Sequence, residues 1–285
     1  MSNKAVVALG LPASGKTTFL AALWHLVTNM KVEVRLSLVR LEAGEAPYLR
    51  AIATRWAQAK KQERTFQSGN KTVTIALKSG GGEEFFLTFP DIAGEAFAQI
   101  WEQRECTPAV AEALRASCVL LFIHADKIKA PGWIADDAVH SKGLGVTQKS
   151  DTPAPWEPQF APTQVQLVDM LRCLQETPLN VGTRKLAVIL SAWDKVEAEE
   201  VTPERFMELH LPLLHQYLTH GLEESWALKI FGVSAQGADY DDAGGVPGAD
   251  AERMREIEVP SRRIKVVNGA STSHDLTEPL YWLLE

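Results

Sequence analysis

The sequence has no apolar run fit to cross a membrane. Its longest uninterrupted stretch is Cys118 to Ile123, against the roughly 20 residues that a spanning helix needs. Cysteine is scarce, 3 in 285 residues with no Cys-x-x-Cys pair, so reduced thiols in a cytoplasmic compartment are expected rather than a disulfide framework. No signal-peptide layout opens the chain, which points to the same compartment. A surplus of cations is also missing: Lys plus Arg is 29 against 36 Asp plus Glu, a formal net charge of -7. Coating nucleic acid demands the opposite balance. No internal repeat is present, which excludes a solenoid or a propeller.

What is present is ordinary for a globular domain, 46% hydrophobic and 23% charged, with enough apolar residues for a sizeable core. Short apolar runs alternate with helical patterns, which predicts an α/β fold: a mostly parallel sheet with helices on both faces. The strand candidates are Ala5–Leu9, Val73–Leu77, Phe85–Phe89, Val119–His124, Leu186–Ser191, Leu228–Val233 and Ile264–Val267. Ser79-Gly80-Gly81-Gly82 reads as a hairpin turn, so one antiparallel strand is expected. Helices are predicted over Thr17 to Met30, from Pro47, from Thr163, from Thr202-Pro203 with a kink at Pro212, and from Thr277-Glu278-Pro279. A single domain over residues 1–285 follows, with insertions near 31–63, 126–162 and 236–260 that read as mobile surface loops. Arg262, Arg263 and Lys265 read as a protected strand edge.

The strongest chemical signal is Gly10-Leu11-Pro12-Ala13-Ser14-Gly15-Lys16-Thr17, a G-x-x-x-x-G-K-[ST] loop between a strand and a helix. Gly10 lets the chain turn out of the strand, and Gly15 lets the backbone approach an anion closely. Backbone N–H groups from Ala13 and Ser14 through Gly15, Lys16, Thr17 and Thr18 then face phosphate, aided by the helix dipole. Lys16 bridges β and γ oxygens, and the Thr17 hydroxyl is a Mg²⁺ ligand. This loop alone leaves a nucleotide switch and an ATP-dependent small-molecule kinase both open.

Three further pieces lie at strand ends. Asp91-Ile92-Ala93-Gly94 follows Phe85–Phe89, Ser191-Ala192-Trp193-Asp194 follows Leu186–Leu190, and Ser234-Ala235-Gln236 follows Ile230–Val233. With these in order the chain resembles the P-loop GTPases of the TRAFAC class, Ras-like and translation-factor-related. Within that class Gly10 to His25 and Asp275-Leu276-Thr277-Glu278-Pro279-Leu280 are similar to bacterial double-GTPase proteins. The resemblance implies a three-layer P-loop NTPase fold binding GTP or GDP with Mg²⁺. It assigns guanine to Asp194, Ser234 and Ala235, the γ-phosphate to Gly94, and metal ligation to Thr17, Thr65 and Asp91. It also implies a protein partner, another GTPase or an effector from the same gene cluster, in a bacterial conflict or defence setting.

The departures from that class are specific. Ser191 and Ala192 stand where it has Asn or Thr and then Lys, which removes a stem that packs on the base. Trp193 either covers part of the ring or packs on the neighbouring helix. Glu95 stands where a glutamine orients the attacking water, and a carboxylate there repels the γ-phosphate. Pro12 occupies a position where small residues leave room for the transition state. With Lys16, Thr65 and Glu95 as the catalytic candidates, hydrolysis is expected to be slow, and a nucleotide-holding subunit with negligible turnover stays open. Arg64 is either a phosphate-reaching arginine or a solvated one.

Overall fold

The computed structural model describes residues 4–44, 46–62, 72–89, 100–132, 157–242, 245–246 and 248–285. Strand formation follows the apolar runs. Cys118–His124 (β5) and Lys185–Ser191 (β6) are nearly all apolar and buried, as strands covered on both faces must be. Together with Lys4–Gly10 (β1), Leu36–Ala43 (β2), Val73–Ser79 (β3), Glu84–Phe89 (β4), Ala227–Ser234 (β7), Lys265–Asn268 (β8) and Ser271–Ser273 (β9) they form one sheet. Its order is β2-β3-β4-β1-β5-β6-β7-β8-β9.

The block β4-β1-β5-β6-β7 is parallel. Both edges are antiparallel: β2 and β3 on one side, β8 and β9 on the other. Antiparallel pairing thus extends past the single strand the sequence suggests. Ser271–Ser273 is polar throughout and carries no strand signal, while β2 pairs through two register irregularities. The turn after β3 closes with the Gly82 N–H donating to the Ser79 carbonyl at 3.0 Å.

Successive side chains of a strand face opposite ways, and the packing obeys this. Val6 and Ala8 of β1 join the core beneath Lys16–Asn29 (α1), Ala46–Ala57 (α2), Ala249–Arg255 (α7) and Glu278–Leu284 (α8). Val7 and Leu9 join the opposite core, beneath Pro108–Leu114 (α3), Thr163–Leu174 (α4), Pro203–His210 (α5) and Pro212–His220 (α6). The result is the three-layer P-loop NTPase architecture. Pro212 does more than kink a helix: α5 stops at His210 and α6 restarts at Pro212, because proline disfavours a helical residue before it. Among the described residues no helix is long and apolar enough to cross a membrane.

Two of the segments expected as mobile loops are packed instead, and in the first the strand-like alternation of Val32–Leu41 and the helix expected from Pro47 are both realised. The first supplies β2 and α2, burying Leu36, Leu49, Ile52 and Trp56. The third buries Ala238, Tyr240, Ala251 and Met254, and spends its acids on ion pairs, Asp239 with Lys195 (2.6 Å), Asp242 with Lys61 (3.0 Å) and Asp241 with Arg255. Of the second, residues 133–156 lie outside the described residues. The basic cluster is not a bare edge either. Arg263 is buried, Lys265 pairs with Glu197, and β9 covers β8.

The terminal Asp275-Leu276-Thr277 motif explains how the far edge is anchored. The buried Asp275 carboxylate accepts the Thr277 N–H (2.8 Å), the Thr277 hydroxyl (2.6 Å) and the Arg35 N–H (2.9 Å). The Thr277 hydroxyl in turn accepts the Leu36 N–H at 3.2 Å, which fixes where β2 begins. Removing the carboxylate strands these donors in a dry site. Asp275→Ala is expected to cost about 2 kcal/mol in urea denaturation with an unchanged m-value. A loss within about 0.5 kcal/mol would show that the motif is a bystander.

Candidate nucleotide-binding site

The parallel strands deliver their carboxyl ends to one rim of the sheet, where ligands of open α/β folds gather. At this rim β1 ends at Gly10 and α1 starts at Lys16, with Gly15 as its left-handed cap (φ 90°) and Ala13 also left-handed (φ 58°). Helix α1 has no side-chain cap and no acidic residue in its first turn. Its leading N–H groups therefore form an open anion-binding end. Gly10, Ala13, Ser14, Gly15, Lys16, Thr17 and Thr18 come together as the motif requires. Lys16 folds over the loop, its ammonium donating to the carbonyls of Gly10 (2.7 Å) and Leu11 (3.0 Å) and to Ser14 Oγ (3.3 Å).

Both glycines are compelled. A β-carbon on Gly10 would lie 2.5 Å from the Phe122 carbonyl oxygen, and one on Gly15 would lie 2.9 Å from Ser191 Oγ. Ser191, a departure from the family pattern, thus sits directly beneath the loop. Its hydroxyl donates to the Ser14 carbonyl at 2.8 Å, a cross-brace that a small side chain is needed to make.

The residues that the resemblance assigns to guanine lie at the ends of β6 and β7, beyond β5. Asp194 is half-buried, and its carboxylate accepts the Ser234 hydroxyl, while the Gly237 N–H donates to Ser234 Oγ at 3.0 Å. Asp194, Ser234 and Ala235 are therefore neighbours. Trp193 takes the packing role: it is buried, edge-on to Phe206 of α5, and leaves no room for a β-carbon on Gly232. Lys195, one residue past Asp194, is engaged with Asp239.

Thr65, Asp91, Gly94 and Glu95 lie outside the described residues. Strand β4 ends at Phe89 in parallel register with β1, Val7 opposite Thr88, so the chain leaves it beside the loop. The residues available for Mg²⁺ among those described reduce to Thr17, half-buried in the first turn of α1. A hydroxyl at an anion-binding helix end suits a hard cation that shares phosphate oxygens.

Two site groups carry no motif in the sequence. His124 ends β5 and lines a small recess with Leu11, Pro12, Ala13, Ser14 and Lys127. Its Nδ1 is buried and has no hydrogen-bond partner among the described residues. Trp56 of α2 donates its indole N–H to the Ala235 carbonyl at 2.8 Å. Only the apolar position of Trp56 on its helix face was a hint.

The sequence model of the Double-GTPase 1 family matches residues 7–283. None of the curated proteins compared matches the chain. Among solved structures, the Saccharomyces cerevisiae Ski7 GTPase-like domain bound to GTP is 13% identical, with a TM-score of 0.41 over 87% of this chain and 46% of that one. The chain thus spans under half the length of that structure. The mammalian SRP receptor is 13% identical, with a TM-score of 0.37 over 83% of this chain and 94% of that one. The Encephalitozoon cuniculi Sar1-like protein in complex with GDP is 12% identical, with a TM-score of 0.33 over 92% and 76%.

The site and its support include two histidines that burial holds below the ordinary 6.5. The Arg263 charge adds to the effect at His25, and Lys127 and Lys195 add to it at His124 against the opposing pull of Asp126 and Asp194. Both rings take up protons more readily when the chain unfolds, so stability rises with pH across this window. The contribution is complete above 6.5 and is lost as pH falls below it. Urea denaturation at about pH 7.5 and about pH 5.5 is expected to show a smaller acid-induced loss for His25→Asn/His124→Asn than for wild type. Identical losses would remove the two rings as its source.

Proposed function

The chain belongs to the Double-GTPase 1 family of GTP-binding P-loop proteins, and from that premise we propose that it is a slowly hydrolysing guanine-nucleotide switch that regulates a partner protein. The observation that carries this reading is the rim itself. Loop 10–17, Ser191 with Asp194, and Ser234 with Ala235 stand at the ends of β1, β6 and β7 on one rim, with β5 between the first two, and are braced through Ser191 to Ser14 and Ser234 to Asp194. A phosphate at the loop and a base at Asp194 fit that order. A small-molecule kinase would have no use for the Asp194–Ser234 pair.

In this reading the loop N–H groups and Lys16 bind the β- and γ-phosphates. Swinging to phosphate would carry the Lys16 ammonium from carbonyl acceptors to charged ones, a stronger interaction. Thr17 would hold Mg²⁺ with Thr65 and Asp91, and the bound ion would neutralise charge on the phosphate oxygens. Asp194 would accept guanine N1–H and N2–H, which adenine cannot offer in that pattern. Gly94 and Thr65 would sense the γ-phosphate and order their segments for a protein partner, another GTPase or an effector, in a cytoplasmic bacterial setting. Glu95 and Pro12 argue for slow turnover, and the nucleotide-holding subunit is the limit of that slowness.

Competition titration against a fluorescent GDP is expected to show GTP bound far more tightly than ATP by wild type. Asp194→Asn trades an acceptor pair for a mixed donor and acceptor and should reduce the preference at least about ten-fold. Equal affinity for GTP and ATP in wild type would sink the guanine assignment.

The switch is read separately. Single-turnover hydrolysis of GTP should proceed below about 10⁻² s⁻¹, as in switches that lack a complete machinery. Hydrogen exchange should show protection of residues 63–66 and 91–101 with a non-hydrolysable triphosphate relative to GDP. The same protection with both nucleotides would make the chain a nucleotide-holding subunit.

A further inference from the structure

The loop that would meet the base is held from behind by α2, an element outside the phosphate-binding framework. Trp56, fully buried, donates Nε1–H to the Ala235 carbonyl at 2.8 Å. The same loop is fastened again six residues on. The Asp241 N–H donates to the Ala59 carbonyl (3.1 Å), and the Lys61 N–H donates to the Asp241 carbonyl (2.8 Å). Between the two fastenings Gly237 turns with φ +85°, packed so closely that a β-carbon there would lie 2.9 Å from the Arg263 carbonyl oxygen.

The indole is itself fixed on several sides. The Arg263 guanidinium lies 5.8 Å from the Trp56 ring centroid, and its Nη1 donates to the carbonyls of Ala57 (2.9 Å) and Trp56 (3.3 Å). The His25 ring of α1 packs against the indole with centroids 5.0 Å apart. A side chain confined in this way aims its one N–H along a single direction. The peptide it holds is trans, as every described peptide is except Thr177–Pro178. In a trans peptide the carbonyl and the following N–H point opposite ways. Anchoring the Ala235 carbonyl to Trp56 therefore turns the Gln236 N–H away from α2.

We propose that Trp56 is a positioning residue for guanine recognition, which fixes the Ala235–Gln236 peptide so that its N–H faces the O6 position of the base. The proposal rests on the guanine reading of Asp194 and Ser234-Ala235. That the backbone of this loop meets O6 belongs to the guanine reading; the proposal adds a residue of α2 as its support. Oxygen at position 6 accepts such a bond, whereas the amino group of adenine presents hydrogens to it and gains nothing.

Trp56→Phe keeps an aromatic ring between Arg263 and His25 and removes the N–H together with part of the indole's volume, which the parallel melting reads. Affinities for GTP, ITP and ATP, measured by competition on the full chain with melting followed in parallel, separate the possibilities. ITP keeps O6 and lacks the 2-amino group. GTP and ITP should each weaken about five-fold, the worth of one neutral hydrogen bond, with ATP changed less than about two-fold. The GTP-to-ITP ratio, which reads Asp194, should hold. Should Trp56→Phe fail to fold, Arg263→Lys loosens the same indole by removing the guanidinium fork, and it should lower the GTP-to-ATP preference while leaving the GTP-to-ITP ratio unchanged. A wild-type preference for GTP over ATP that survives intact in the variant overturns this proposal alone. An equal loss for all three nucleotides does so too, because it marks general loosening. A wild type that binds ATP as tightly as GTP overturns the guanine reading and this inference together.

Discussion

Two missing β-carbons decide where the rest of the site can stand. The loop after β1 can cross the ends of β5 and β6 only because Gly10 presses on the Phe122 carbonyl and Gly15 presses on the Ser191 side chain. With the loop seated that low, the Ser191 hydroxyl reaches the Ser14 carbonyl and β6 becomes a wall of the phosphate cradle. From this contact the geometry of the base side follows. Three residues after Ser191 the chain presents Asp194, and parallel pairing of β6 with β7, Ser191 opposite Val233, places Ser234 beside it. An alanine at position 15 would strain the backbone and displace the brace together, so a change in the phosphate loop would be felt at Asp194.

Two guanidinium groups sit in the interior and bind backbone carbonyls, with no ion pair to an acid among the described residues. Arg184 donates to the carbonyls of Leu114 and Leu179 beside Trp226, just before β6 begins. Arg263 does the same for the carbonyls at the end of α2, beside Trp56. Burial lowers the Arg184 pKa, the cost of holding a cation there. A planar fork that satisfies several carbonyls at once fixes the angle between a helix end and a loop more narrowly than apolar packing does. One such fork stands at the start of β6, at the opposite end of the strand from Ser191, and the other stands beside the loop that follows Ser234.

How far the sequence alone reached tracks the range of the interactions concerned. Loop 10–17 was legible because its chemistry is local: glycines, lysine and threonine at fixed spacing between a strand and a helix. The seven strand candidates were legible because continuous apolar runs have few other places to go. Ser191 read as a loss, since its partner Ser14 lies 177 residues away and no local rule pairs them. The acidic, glycine-rich segment after Ser234 read as a mobile loop, because its charges look solvated until Lys61, Lys195 and Arg255 are brought to them. Arg263 read as an edge charge for the same reason. The polar strand β9 had no signal to read.

That difference in range also bears on the departures from the family pattern at Ser191 and Ala192. In a longer side chain at position 192, a stem would pack on the base and help confine it. Here Ala192 adopts a left-handed conformation (φ 55°), Trp193 turns inward against Phe206, and Lys195 is taken by Asp239. The support for the base-side loop comes instead from across the sheet rim, through Trp56 and the strand-like exchange between Lys60 and Asp241. A lysine stem confines a base by covering it, whereas a hydrogen bond to a loop carbonyl confines the donors that read the base. The first arrangement favours affinity for any planar ring. Under the proposed guanine reading the second would leave affinity to the phosphate loop and assign α2 to discrimination, and the chain passes from α2 within a few residues to the segment that carries Thr65.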